Sequence, residues 1–274
     1  MAATPHSRAD AAIACLIGEG GHRHEGRRFS SDLSVDEAVL LKEIGYEPRG
    51  VVVGSAVYHI GIQYMNWSNN EELGDLTRIM YMAREDAVQK LTQHAIRIGG
   101  QGVVGLQLDV RLHGAHGLAE FVALGTAVAH PDHRDAGVWV SDLSGQDLYL
   151  LIRAGYQPLG LAFGACVYHV AHQALSQWLG QRMQNVELSN YTEALYDARE
   201  LAMTRMQDEA SRLGAQGIVA MRIDQQSHVW GSHVIEFLAV GTAVRLQAAA
   251  HQELRPEMAV ELHDGVVRGW QPQG

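Results

Sequence analysis

Residues 99–104 are Gly-Gly-Gln-Gly-Val-Val, and residues 214–219 repeat them as Gly-Ala-Gln-Gly-Ile-Val. Further segments recur in the same order on both sides of this motif. They are residues 31–34 with 141–144, 45–50 with 155–160, 57–59 with 167–169, 83–85 with 198–200, 120–121 with 236–237, and 125–128 with 241–244. Ordered matches of this kind are the signature of an internal repeat. The chain is therefore a tandem duplication.

A short helix is predicted at the start of each copy. Ser34 and Glu37 form a capping-box pattern in front of Val35–Ile44, and Ser144 with Asp147 is a weaker counterpart. A glycine that can take positive φ is expected to end each helix, and a proline then forbids further helix. These residues are Gly45 and Pro48 in the first copy, and Gly155 and Pro158 in the second.

The remaining elements also follow one order in both copies: a strand rich in β-branched residues, a long helix with a stripe of small residues, and a β-hairpin. In the first copy these are Gly50–Ile60, Thr77–Ile98, Gly102–Arg111 and Leu118–Ala129; in the second they are Gly160–Val170, Thr192–Leu213, Gly217–Gln226 and Val234–Arg245. Gly54 and Gly164 inside the first strands indicate a bulge or a close approach. The order predicts an α+β fold with two layers, in which a mainly antiparallel sheet packs on a long helix.

Composition and charge limit the classes of function. The chain has 274 residues, of which 47% are hydrophobic and 19% charged, as in a globular protein. The net charge of -10 disfavours nucleic acid as a partner. Two cysteines predict a reducing, cytoplasmic setting, and the apolar runs are too short to predict a membrane partner. The predicted organisation is a flexible segment 1–29, copy 1 at 30–129, a linker at 130–139, copy 2 at 140–247, and a tail at 248–274.

Several of the recurring motifs are those of a known family. Residues 54–57 or 164–167, the Ala-Arg-Glu step of the long helix, the glycine-rich turn, Asp109 and Gly-Thr-Ala-Val resemble the YbjQ-like family. The resemblance covers Val51–Val128 and Leu161–Val244. It implies two dodecin-like βαβ pieces merged into one small domain, assembly into pentameric rings, and the heavy-metal-binding role by which the family is described. It supplies no catalytic residues.

Histidines at the strand ends are the first candidate metal ligands. His59 and His169 are repeat equivalents, and Cys166 and His172 lie near His169 in the sequence. A thiolate with imidazoles suits zinc or copper(I). However, Cys166 and His169 point to opposite faces of a regular strand, because they are an odd number of residues apart. We favour the alternative of a half-buried histidine near a subunit contact.

The tips of the hairpins carry a second group of histidines. His113 and His116 lie at the first tip, and His228 and His233 at the second. A tight turn can bring two imidazoles together, but structural zinc takes four ligands. Because the second histidine of each pair occupies a different alignment position in the two copies, we favour a solvated polar loop.

Charged residues within the predicted elements complete the set of candidates. Glu120 and Glu236, with Asp109 and Asp224, could supply carboxylate ligands, but they are interpreted as charges at strand ends. For the Arg-Glu steps at residues 84–85 and 199–200 we favour salt bridges that orient helices within or between subunits, because adjacent helical residues reach different neighbours.

Three hypotheses about function follow. The first is a non-enzymatic, ring-forming assembly or scaffold protein whose partner is itself. The second is a protein that binds a transition metal such as zinc, copper or nickel through its histidines. The third is a small-molecule binder or hydrolase with a site between the halves, for which the sequence contains none of the common catalytic motifs.

Overall fold

The computed structural model describes residues 30–60, 70–113, 118–131, 137–170, 189–227 and 234–247. The elements of copy 1 are α1 Val35–Glu43, β1 Glu47–His59, β2 Glu71–Glu72, α2 Gly74–Arg97, β3 Gly102–His113 and β4 Leu118–Ala129. Those that follow are β5 Trp139–Val140, α3 Gly145–Arg153, β6 Tyr156–His169, α4 Ser189–Arg212, β7 Gly217–Ser227 and β8 Val234–Leu246. The predicted flexible segment and tail lie outside the described residues.

The short helices begin and end where the sequence predicts. The Ser34 hydroxyl accepts a hydrogen bond from the Glu37 amide, and the Glu37 carboxylate accepts one from the Ser34 amide. In copy 2, Ser144 caps the helix by accepting from the Asp147 amide. Residues 45 and 155 follow the two helices with φ of 82° and 84°, which glycine adopts without a Cβ clash. The two helices pack on each other, and the Gly145 amide of α3 donates to Glu37 of α1.

Two four-stranded sheets form, with the orders β1-β4-β3-β5 and β2-β6-β8-β7. All long-strand pairs are antiparallel. The two copies also contribute short edge strands to each other's sheet. The segment β5 pairs with β3 of copy 1, and β2 of copy 1 pairs with β6 of copy 2. The predicted α+β architecture, a mainly antiparallel sheet on a long helix in each of two copies, is confirmed.

A glycine in the middle of β1 and of β6 brings each long helix close to its own sheet. A Cβ atom at Gly54 would overlap the carbonyl oxygen of Ala87 in α2 and come within 2.5 Å of the Leu91 amide nitrogen. Gly164 has the same relation to α4. The predicted close approach is therefore confirmed. The bulges lie elsewhere, between residues 48 and 50 and between residues 158 and 160.

The hydrophobic cores reveal how the copies are joined. One cluster lies within copy 2, between α4 and the inner face of its sheet. Another contains the core of copy 1 and also the outer face of the copy 2 sheet, including Leu161, Phe163, Val167 and Val240. The helix α2 is thus buried on two sides. None of the helices in the described residues is long and apolar enough to cross a membrane.

Candidate functional site at the interface between the copies

The helix α2 of copy 1 lies between its own sheet and the outer face of the copy 2 sheet. Its alanine stripe, at residues 83, 87 and 95, is fully buried in the core of copy 1. Met80 and Arg84 are also buried, and the same hydrophobic cluster continues into residues 161–167 of β6. The small-residue stripe predicted from the sequence therefore packs on the sheet of copy 1, while a second face of α2 packs on the sheet of copy 2.

A buried ion pair crosses the interface. Nη1 of Arg84 lies 2.6 Å from Oε1 of Glu236 in β8, and both side chains are at most 2% exposed. The guanidinium carbon of Arg84 also lies 5.4 Å from the centre of the Phe121 ring in its own copy. Removing two charges from water is costly, so such a pair is stable only when both partners are present. Arg84 therefore fixes which part of the copy 2 sheet can lie against α2.

An aromatic residue on α2 adds a second contact. The ring of Tyr81 stacks on that of Phe163 with centres 4.6 Å apart, and its hydroxyl donates to Oε2 of Glu209 at 2.5 Å. Burial raises the pKa of Glu209, although the hydrogen bond from Tyr81 acts in the opposite direction. Burial and the Glu209 hydrogen bond together raise the pKa of the Tyr81 hydroxyl. This contact combines apolar area with a directed hydrogen bond.

Backbone and charged groups close the edge of the interface. The Val167 amide of β6 donates to the Thr77 hydroxyl, and the Val167 carbonyl accepts from the Leu73 amide. Arg205 forms two hydrogen bonds to the Glu72 carboxylate, at 2.7 and 2.9 Å. Burial pushes the pKa of Glu72 upward, but the hydrogen bonds from Arg205 and Thr77 and the charge of Arg205 outweigh it and lower the pKa. The edge of β6 is thereby covered by copy 1.

The outer face of the copy 1 sheet and one face of helix α4 in copy 2 are exposed, although the equivalent surfaces of the other copy are buried in the interface. Val57 is 59% exposed, whereas its equivalent in copy 2, Val167, is 0% exposed. Val53 is 42% exposed against 4% for Phe163. On the helices, Tyr196 is 64% exposed, whereas its equivalent Tyr81 is partly buried. Each chain therefore has one interface completed internally and both halves of a second, equivalent interface left open.

The candidate ligands on the strands lie in different environments. His59 is exposed at the end of β1, whereas His169 is buried beside the short strand β2. Cys166 is buried against α4, on the strand face opposite to that of Val167. Burial raises the pKa of its thiol to about 12, which disfavours the thiolate that a metal ion requires. His169 is fully buried, and its backbone pairs with Glu71 of copy 1, so it lies between the two copies of one chain.

Most of the other candidate ligands lie outside the described residues. His113 is the last residue of β3 and pairs with Leu118, while His116, His172, His228 and His233 lie outside the described residues. Within the described ranges, no group of three or more His, Cys, Asp or Glu side chains could hold a metal ion. Metal binding by the hairpin histidines stays a prediction, which elemental analysis of untagged protein tests.

One of the charged candidates, Glu236, belongs to the interface between the copies. Glu120 and Glu236 lie inside β4 and β8, and Glu236 forms the interface ion pair with Arg84. The proposed helix-orienting salt bridge is therefore present, and it joins the copies. Asp109 lies inside β3, and its carboxylate forms an exposed salt bridge with Arg111 at 3.2 Å. Tyr81, Glu72, Arg205 and Glu209 were not identified from the sequence, since nothing local marks which helix face meets the other copy.

A cleft of about 480 Å³ also lies between the copies. Its lining includes Asp32, Glu37, Asp142, Arg222 and Asp224. These groups already make contacts that hold the fold: Glu37 accepts from the Gly145 amide, and Asp142 accepts from Arg222 and from the Thr242 hydroxyl. Glu37, Asp142 and Arg222 in the cleft lining therefore contribute to the packing of the copies.

Comparison with known proteins agrees with the duplicated architecture. The sequence profile of a family described as "Putative heavy-metal-binding" matches residues 48–130 and 158–247. An encapsulin nanocompartment protein of Mycobacterium tuberculosis is 41% identical over 229 residues, which cover 81% of this chain and 87% of that protein. A UPF0145 protein of Thermus thermophilus is 48% identical over 63 residues, 23% of this chain and 54% of that protein. A UPF0145 protein of Helicobacter hepaticus is 36% identical over 97 residues, 35% of this chain and 90% of that protein.

Proposed function

We propose that this chain, which belongs to the YbjQ family, is a non-enzymatic assembly protein that builds a closed oligomer from copies of itself. The observation that carries the proposal is the difference between equivalent surfaces. One copy buries the outer face of its sheet under a helix, and the other copy presents the same face to solvent. Exposed apolar surface of this kind marks sites of protein association.

The relative from Mycobacterium tuberculosis supports the same function. Its name associates it with a nanocompartment, and the similarity extends over most of both chains. The description of the family as metal-binding lends less support, because the described residues contain no group of three potential ligands. We accordingly place self-assembly first and metal binding second.

The proposed oligomer is a ring of five chains in the cytoplasm. Five is the ring size that the family resemblance implies, and because each chain contains two copies, five chains form a ring of ten copies. Cys166 is a buried free thiol, which suits a reducing compartment.

Native mass spectrometry of the untagged chain over a range of concentrations tests this function. The expected result is one discrete species whose mass is a multiple of the 30.0 kDa chain. Five chains per species would support the proposed ring size, and another discrete number would replace it. A monomer at micromolar concentration would contradict the assembly function itself.

A further inference from the structure

We propose that helix α4 of one chain docks on the exposed outer face of β1 and β4 in the next chain, and so repeats between chains the interface that joins the two copies. This inference rests on the proposed assembly function and names the surfaces that carry it. The open sheet face consists of Val53, Ser55, Val57, Glu120 and Val122. The open helix face consists of Thr192, Leu195, Tyr196 and Arg199.

The open sheet face has the same positions as the covered face of copy 2. The equivalents of its residues are Phe163, Ala165, Val167, Glu236 and Leu238, each at most 5% exposed under α2. Even a backbone contact at its border is kept, because Lys90 donates to the Ser55 carbonyl as Arg205 donates to the Ala165 carbonyl. Among the described strands, β1 lies at the edge of its sheet, whereas the equivalent edge of β6 is paired with β2.

The open helix face has the same positions as the face of α2 that meets copy 2. Thr192, Leu195, Tyr196 and Arg199 stand where Thr77, Met80, Tyr81 and Arg84 stand in α2. Three of the four α2 residues are buried, and all four α4 residues retain exposed surface. Because the two open faces are halves of an interface that the chain already forms once, each suits the other in a second copy.

Charge complementarity at the new contact follows from the internal ion pair. Arg199 holds its guanidinium carbon 5.3 Å from the ring of Phe237, as Arg84 does over Phe121. Because the two arginines have this arrangement in common, Arg199 lies where the Glu120 side chain of a neighbouring chain would be in the proposed contact. Glu120 accepts from the Ser55 hydroxyl at 3.4 Å, a contact compatible with a second bond from an arginine. Docking would bury the Arg199–Glu120 pair as Arg84–Glu236 is buried.

In the proposed contact, the hydrogen-bond partner of the tyrosine is a histidine instead of a glutamate. His94 stands where Glu209 stands, and its Nδ1 accepts from the Val53 amide as Glu209 accepts from the Phe163 amide. Neutral histidine that accepts at Nδ1 carries its proton at Nε2. In the proposed contact, Nε2 of His94 donates to the Tyr196 hydroxyl of the neighbouring chain, whereas Tyr81 donates to Glu209.

The two faces differ, so chains join head to tail. Such heterologous contacts produce a closed ring when the rotation between neighbours closes, and a filament when it does not. Each chain adds one open sheet face and one open helix face, and a closed ring leaves neither exposed.

Blocking each face separately tests the proposal. Val57→Lys places a charge on the open sheet face, and Tyr196→Lys places one on the open helix face. Both positions are more than half exposed within the chain, so the circular dichroism spectrum of each variant should match that of the wild type. Each variant alone should associate about 100-fold more weakly, since docking would bury an unpaired ammonium. Ile96→Lys, at a 57% exposed position outside both faces, is the matched control and should assemble normally.

Mixing the two blocked variants gives the sharper result. The Val57→Lys chain keeps its helix face and the Tyr196→Lys chain keeps its sheet face, so one contact can form between them. An equimolar mixture should therefore give a heterodimer, seen by native mass spectrometry, that cannot grow further. Monomers alone in the mixture would overturn the proposed pairing of faces.

The outcomes also separate this inference from the assembly function. A wild-type chain that stays monomeric overturns both. A wild-type oligomer that persists in Val57→Lys and Tyr196→Lys overturns the interface alone. As a check on the ion pair, Glu120→Arg and Arg199→Glu should each weaken assembly, and the double variant should recover at least part of the loss. Equal weakening in the single and double variants would overturn the ion pair.

Discussion

At the residue scale, one buried ion pair joins the two copies. Arg84 and Glu236 are almost fully enclosed, and they join copy 1 to copy 2. The Arg-Glu step in the sequence indicated a salt bridge for this arginine. It could not indicate Glu236 as the partner, because the two residues meet only once α2 has packed on the sheet of the other copy.

Removing the arginine should therefore be costly. We expect Arg84→Ala to lower the free energy of unfolding by about 3–5 kcal/mol, because it leaves the Glu236 carboxylate buried without its counter-charge. Chemical denaturation monitored by circular dichroism measures this loss. Arg78→Ala is the matched control: Arg78 pairs with Asp75 at the surface, and its removal should cost less than about 1 kcal/mol. Equal effects of the two changes would contradict the account.

The Glu72–Arg205 pair predicts how pH affects the join between copies. The pKa of Glu72 is lowered by its contacts from the ordinary 4.5, so its stabilising contribution is full above pH 4.5. That contribution is lost as the pH falls through the lowered pKa. The stability difference between wild type and Glu72→Gln should accordingly shrink below pH 4.5. Denaturation curves at a series of pH values check this, and a difference that grows on acidification would show the opposite sign of coupling.

At the element scale, the glycines of β1 and β6 set the distance between helix and sheet. The sequence indicated either a bulge or a close approach at these positions. Local pattern could not decide between them, since the deciding atoms are the backbone of a helix more than thirty residues further along the chain. Ala87 and Leu91 of α2 supply those atoms for Gly54.

Adding a methyl group at this position should separate the layers. We expect Gly54→Ala to destabilise the chain by about 3 kcal/mol, because the clash is with helix backbone rather than with a movable side chain. Gly74→Ala, where a Cβ would meet nothing within 4 Å, should be neutral or stabilise by up to about 1 kcal/mol. Thermal or chemical denaturation compares the two, and a neutral Gly54→Ala would contradict the close packing.

The boundaries of β1 and α2 differ from the sequence-based expectation for reasons that involve distant partners. The strand β1 begins at Glu47 rather than Gly50, because residues 47 and 48 pair with the last residues of β4 beyond a bulge. The helix α2 begins at Gly74 rather than Thr77. Just before it, Leu73 is fixed by a hydrogen bond to Val167 in the other copy.

At the scale of the whole molecule, the duplication produces two equivalent domains in unequal surroundings. The repeat, the α+β class and the order of elements were accessible from the sequence, because each is encoded in periodicity and in matched motifs. The covering of one sheet by the helix of the other copy was not, since both copies carry nearly the same pattern of residues. The covered face at Val167 and the open face at Val57 become different only when the chain has folded.

The proposed function follows from this difference between the two copies. A chain that completes one interface internally and leaves both halves of the same interface open is suited to join further chains end to end.

A cryo-electron microscopy map of the assembled wild-type protein, at a resolution that shows side chains, decides whether this interface forms between chains. We expect helix α4 of one chain against β1 and β4 of its neighbour, with the Arg199 guanidinium within about 4 Å of the neighbour's Glu120 carboxylate. An assembled particle in which Val57 and Tyr196 both face solvent would contradict it.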